Sequence, residues 1–130
     1  MIAFSFDRVH SLLLVNYDTE LTHDNLDALD VRLATFVAQH GTADTIMDFR
    51  NLNMEGTPTS VLFERGQRPS RMPGRKRVFL ISGPLMTGLF RLYGAHQDNA
   101  GVQPPILVQT LKKALEVVGA PDATFEHLSL

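Results

Sequence analysis

The chain has 130 residues, 44% of them hydrophobic and 20% charged, with a net charge of −2 and neither cysteine nor tryptophan. One domain of roughly 100 to 150 residues accounts for that length, so a second full domain is excluded, and so are disulfides, thiolate nucleophiles and thiolate metal sites. No apolar run reaches the roughly 18 to 20 residues that would cross a bilayer, and the N-terminal MIAFSFDRVH lacks the basic-then-apolar order of a signal peptide; a cytoplasmic protein, not transmembrane, is expected.

Ile2 to Phe6 reads as a strand, and after the polar turn Asp7 to His10 the run Leu12 to Val15 reads as a second, which makes a hairpin. From Asp24 the period changes: Leu26, Leu29, Leu33, Phe36, Val37 and His40 recur every three or four residues, as on one helix face. Thr22 is placed to cap its start and Gly41 its end, and Asp24 complements the helix dipole. Thr45 to Phe49 fits a third strand. Asn51 to Thr57 breaks the periodicity, and a short helix is predicted to begin around Pro58, with Val61, Leu62 and Phe63 as its buried side. Arg65 to Arg77 holds six bases, two prolines and two glycines in thirteen residues and reads as a loop.

Val78 to Ile81 is wholly apolar, the mark of a strand covered on both faces. After Ser82, Gly83 and Pro84 a helix is predicted from Leu85 to His96, with Leu85, Leu89, Leu92 and Tyr93 on one side and Gly88 permitting close packing. Pro104 and Pro105 lead into a last short strand, Ile106 to Val108. Thr110 then opens a helix carrying Leu111, Ala114, Leu115 and Val118, stopped by Gly119 and Pro121. The tail to Leu130 either adds a strand or frays. The order ββαβαβαβα implies a single α/β domain with right-handed crossovers: a mostly parallel central sheet, an antiparallel edge hairpin and packed helices.

In this arrangement the segments LLLVNYDTELTHDNLDAL, TIMDFRNL, KRVFLISGPLMTGLFRLYGAHQ and ILVQTLKKALEVVG resemble the STAS-like family, the domain of bacterial anti-sigma-factor antagonists and of the cytoplasmic ends of some anion transporters. The likeness is to the small stand-alone bacterial branch and covers nearly the whole chain. It implies one STAS-like domain over residues 1–130 and a non-enzymatic regulatory or protein-interaction role. In the signalling members a serine at the start of the helix after the third strand, in an Asp-Ser-Ser-Gly-like turn, is phosphorylated to switch partner binding. The matching stretch, Asn53 to Ser60, lacks that motif but offers hydroxyls at Thr57, Thr59 and Ser60. First-turn amides would favour a phosphate there, while helix capping by Thr57 explains the hydroxyls structurally.

Charge is unevenly spread. Residues 1–64 carry ten acids and three bases, residues 65–130 four acids and nine bases, so near-neutrality is the sum of −7 and +5. Arg65, Arg68, Arg71, Arg75, Lys76 and Arg77 would attract an acidic protein, a lipid head group or another anion; alternatively they form a solvated loop balancing the acidic half. Nucleic acid is disfavoured by the pI near 6.2 and by the lack of aromatics among the bases. At Ser82-Gly83-Pro84, free amides at a helix start would hold an anion, although a purely structural turn also explains the motif. Together with the basic loop this turn defines an alternative function, a small-molecule, anion or lipid-binding module.

Met86, Phe90 and Tyr93 fall near one side of their helix, where they would line a groove for an acyl chain or a partner's helix, or serve as core or a homodimer surface. The histidines His10, His23, His40, His96 and His127 show no metal-ligand spacing, and no cofactor is expected. Asp48 in its apolar strand has no positioned nucleophile or base beside it, so capping of the following turn is expected of it rather than catalysis. The expectation is therefore a protein partner and no enzymatic activity.

Overall fold

The structure, a computed structural model, describes residues 1–55 and 59–130, with only the backbone at Thr59. The expected helix start at Pro58 and the capping role of Thr57 lie outside the described residues. Strands β1 (Ile2–Asp7) and β2 (Leu12–Tyr17) pair antiparallel, with Phe4 opposite Val15. Helix α1 (His23–His40) is capped as its sequence indicates: the Thr22 hydroxyl accepts the Asn25 N–H at 3.1 Å, and Gly41, at φ 79°, donates its N–H to the Val37 carbonyl. There follow β3 (Asp44–Asp48), α2 (Thr59–Gly66), β4 (Arg77–Leu80), α3 (Gly83–Asn99), β5 (Ile106–Val108), α4 (Leu111–Val117) and β6 (Glu126–Leu128). The six-stranded sheet runs β5-β4-β3-β2-β1-β6, parallel from β5 to β2 and antiparallel beyond.

The tail resolves as β6, which pairs with β1 on the outer side of the hairpin. A buried carboxylate holds it there. Asp7 accepts the His10 N–H at 3.0 Å, the His10 ring Nδ1 at 2.8 Å and the Thr124 N–H at 2.9 Å. Burial alone would raise the Asp7 pKa; the hydrogen bonds from His10 and Thr124 outweigh it and bring the value down to about 2, while the bond from Asp7 raises that of His10.

Alternation along the strands sends residues to two faces. Leu12, Ile46, Val78, Leu80 and Val108 pack with Ala114 of α4 on one. Phe4, Leu13, Met47 and Phe79 meet the inner sides of α1, α2 and α3 on the other. Here the structure corrects several expectations. Arg65 and Gly66 belong to α2 and Arg77 to β4, so the loop between them is shorter than Arg65 to Arg77. Phe63 is 54% exposed because two-turn α2 buries only the side carrying Val61 and Leu62. In α3 the buried residues are Met86, Phe90 and Gln97; of the side expected to be buried, Leu89 and Tyr93 pack partly buried against the core, while Leu85 and Leu92 are 74% and 40% exposed. Among the described residues nothing lies within 4 Å of a Cβ added at Gly88. Close helix contact occurs instead at Gly66, where an added Cβ would lie 2.5 Å from the His96 Cβ.

Candidate functional site

The acidic and basic halves of the chain meet between α1 and α2. Asp27 and Asp30 lie one turn apart on α1, and neither has a base three or four residues further on with which to pair. Their partners come from the basic segment. Arg65 reaches Asp30 Oδ2 at 2.5 Å and Asp27 Oδ1 at 3.3 Å; Arg68 lies 3.4 Å and Arg71 3.6 Å from the same Asp30 Oδ2. Arg68 also pairs with Glu64, one turn back on α2, and that bond holds the Glu64 carboxyl below its usual range. Three acids of the first half, Asp27, Asp30 and Glu64, thus find their partners within the chain here. The six bases do not act as one surface. Arg75 Nε donates to the Thr42 hydroxyl at 3.3 Å and Lys76 Nζ to the Val117 carbonyl at 3.2 Å, and among the described residues neither forms an ion pair. Arg77 turns inward, its Nη2 2.5 Å from the Gln97 Oε1.

Beneath these pairs lies a cavity of about 550 Å³ between the three-helix face of the sheet and α1, α2 and α3. Alternation places Thr45 and Met47 of β3, and Arg77 and Phe79 of β4, on its floor. Leu26, Leu29 and Leu33 of α1 form one wall, Leu62 and Phe90 of α2 and α3 another, and residues 68–72 lie over the opening. The lining is apolar apart from Thr45, Ser70, Tyr93, Gln97, Asp30 and four arginines: Arg65, Arg68, Arg71 and Arg77. The side chain of Arg65 is 10% exposed, and its buried Nε has no hydrogen-bond acceptor among the described residues. Gln97 is 1% exposed, and burial raises the pKa of the Tyr93 phenol despite the nearby Arg77.

Of the residues singled out from sequence, Arg65, Arg68, Arg71, Arg77, Phe90 and Tyr93 converge on this cavity. Asp27, Asp30 and Gln97 were not foreseen. The acids carried a signal, their lack of in-helix partners, whereas nothing local marks Gln97 as buried. Ser82 and Gly83 lie elsewhere, which corrects the expectation that they share a pocket with the basic segment. A separate hollow is lined by Gly83, Pro84, Thr87, Gly88, Arg91 and Gln109, the Ser82 N–H is turned onto the Met86 Sδ at 3.4 Å, and Gly83 takes φ 80°. Met86 supports the core beside the cavity without lining it. Ser60 is exposed in the first turn of α2.

Asp48 is engaged as a turn-capping residue. Its Oδ1 accepts the Arg50 N–H at 3.1 Å, and both its oxygens accept from the Arg50 guanidinium, at 3.0 and 2.9 Å. The histidines are dispersed: His10 sits on Asp7, His23 lies 3.3 Å from Glu64, His40 stacks on Phe36 and His96 meets Phe63 edge-on.

No family model matches the chain, and no curated protein is similar to it in sequence. Among solved structures it is similar to the anti-sigma factor antagonist SpoIIAA in its unphosphorylated form, at 16% identity and a TM-score of 0.54, covering 85% of this chain and 91% of that one. The sheet with its antiparallel end, the helices and the element order agree with that fold, so the α/β domain read from the sequence has a STAS-like fold.

Proposed function

We propose that the chain is a non-enzymatic regulatory module that works by docking a partner protein. The fold it shares with an anti-sigma factor antagonist over 85% of its length carries this reading. On this chain the docking face comprises the exposed Arg71, which lines the cavity, the exposed Arg75 and Lys76 of the same segment, and the exposed first turn of α2 with Ser60. The side chains of Arg75 and Lys76 form no ion pair among the described residues, so their charge is free to meet an acidic segment of the partner. The hydroxyls of Thr57, Thr59 and Ser60 are the candidates for a switch. A phosphoryl group moved there from ATP would bring about −1.5 to −2 charges to a helix N-terminus, which stabilises them, and would make that neutral part of the face strongly negative. The exposed Leu85 and Leu92 on α3 offer a surface for a homodimer. No helix of the described residues is long and apolar enough to cross a membrane.

The test starts from affinity capture with the purified chain, followed by reconstitution with the captured protein in pure form. A stoichiometric complex is expected, weakened about tenfold or more by Arg75→Ala with Lys76→Ala, and altered by Ser60→Asp. A reconstituted complex indifferent to all three substitutions would remove this face from the reading, and failure of any pure partner to form a complex would remove the reading itself.

A further inference from the structure

The cavity under Arg65 to Met72 has a chemistry that protein docking does not explain. Its volume of about 550 Å³ falls within the roughly 300–1,000 Å³ of sites for small organic ligands, and its body is aliphatic and aromatic. A core that needed only to be closed would be filled with side chains to crystal-like density. The polar groups are also unbalanced. Four guanidinium groups line the cavity; Asp30 is the one carboxylate in the lining, and Asp27 and Glu64, which pair with Arg65 and Arg68 from outside it, bring the count to three carboxylates for four cations. Arg65, Arg68 and Arg71 all converge on one oxygen of that carboxylate, Oδ2, at 2.5, 3.4 and 3.6 Å. Arg77 has a neutral amide, Gln97, as its hydrogen-bond partner, and the buried Nε of Arg65 has no acceptor among the described residues. Cations removed from water demand anions, and a guanidinium fork matches a carboxylate or phosphate in two-pronged geometry.

We infer that this cavity binds an amphiphile with one oxyanion head group, its apolar body against Leu29, Met47, Phe79 and Phe90 and its head on Arg77 and Arg65. The oxyanion supplies the one negative charge by which Asp27, Asp30 and Glu64 fall short of the four arginines. Arg68 and Arg71, at the opening, provide the attraction that brings the head group in, and Tyr93, whose phenol stays protonated, adds a donor beside Arg77.

The full chain is titrated with decanoate and decyl phosphate below their micelle concentrations, with decanol and inorganic phosphate as controls, by calorimetry and by methyl resonances of labelled methionine. At least one of the two anions is expected to bind saturably at one per chain, shifting the methyls of Met47 and Met72, which line the cavity, and leaving Met1 in place. Decanol and inorganic phosphate are each expected to bind at least tenfold more weakly. Arg77→Gln, checked for an unchanged fold, is expected to lose about tenfold in affinity for the anion and little for decanol; Arg71→Gln, at the exposed opening, loses less. Binding of decanol as tight as that of the anions, shifts spread evenly over all methionines, or no saturable binding of either anion would overturn the inference. Whichever anion binds tighter identifies the head group as carboxylate or phosphate. Because this measurement uses no protein partner, its failure leaves the docking proposal standing, and the reverse holds too.

Discussion

The two faces of the sheet are made by the same strands and end up in opposite states. Ile46 and Val78 point toward α4 and are fully buried, while their neighbours Met47 and Phe79 point toward α1 and α3 and line a cavity. The difference comes from what covers them. On the first face α4 presents Ala114, a residue small enough for the helix to settle onto Leu12, Leu80 and Val108. On the second, the helices carry leucines, phenylalanines and arginines, and the sheet itself contributes Thr45 and Arg77, so the layers are held apart and joined at the rim by ion pairs. The same sheet thus packs closed against α4 on one face and leaves space within the larger core of the other.

The sharpest way to break this comparison is to truncate one residue on each face. Ile46→Ala is expected to cost toward the top of the roughly 2–5 kcal/mol range for such changes, because the closed face cannot collapse into the gap; Leu29→Ala, on the cavity wall, is expected near the bottom. Urea unfolding of both variants decides it, and equal losses would mean that the two faces are packed alike. Enlargement reverses the order: Ala114→Leu overpacks the closed face and costs about 1–3 kcal/mol, whereas Leu29→Phe extends into open space and costs less.

A step down in size, Gly66→Ala tests what holds α2 against α3 beside the cavity. The new methyl would fall 2.5 Å from the His96 Cβ, so the helices must separate, at about 1–3 kcal/mol. Gly88→Ala, with nothing within 4 Å, is expected to be neutral or slightly stabilising, since alanine is the better helix former. Equal melting temperatures for the two variants would place the α2–α3 contact elsewhere. Smaller again are the caps. Thr22→Ala and Thr110→Ala each remove a hydroxyl that accepts a first-turn N–H at 3.1 Å, worth about 1 kcal/mol. Only Thr22→Ala, at the start of the helix that walls the cavity, is expected to change the binding of decanoate or decyl phosphate.

The same contrast explains what could be read from sequence. Helix α1 was legible because Leu26, Leu29, Leu33 and Phe36 form a single stripe between a threonine cap and a glycine stop. The span of α3 was equally legible but its buried side was not, because Leu85, Leu89 and Leu92 form as regular a stripe beside Met86 and Phe90, and only the position of the sheet leaves Leu85 and Leu92 exposed. The basic segment was visible as charge, but its partners on α1 lie 35 and 38 residues away, a separation that no local pattern spans. The cavity was invisible for a further reason: its floor is every second residue of two strands, joined to three helices by tertiary packing alone.

The smallest expected effect concerns the tail, which touches both faces: Ala123 and Phe125 pack on the α4 side, Leu128 and Leu130 on the three-helix side. Its latch is Asp7 with His10 and the Thr124 N–H. The Asp7 carboxyl falls from an ordinary 3.8 to about 2 on folding, so its contribution is complete above 3.8 and disappears as pH falls through 2. His10 is raised above 6.5, so its contribution is complete below 6.5 and disappears as pH rises through that raised value. The latch is strongest where both are charged, between about pH 4 and 6.5. The protection factors for amide exchange at residues 126–128, which correct for the intrinsic pH dependence of exchange, should accordingly be highest in that window and fall on either side. Asp7→Asn is expected to flatten the profile on both sides and His10→Gln on the alkaline side alone. Because the tail rests on both faces, its loosening should leave the stability difference between Ile46→Ala and Leu29→Ala unchanged from pH 5.5 to pH 9. A difference that shrank with alkali would show that β6 braces one face more than the other.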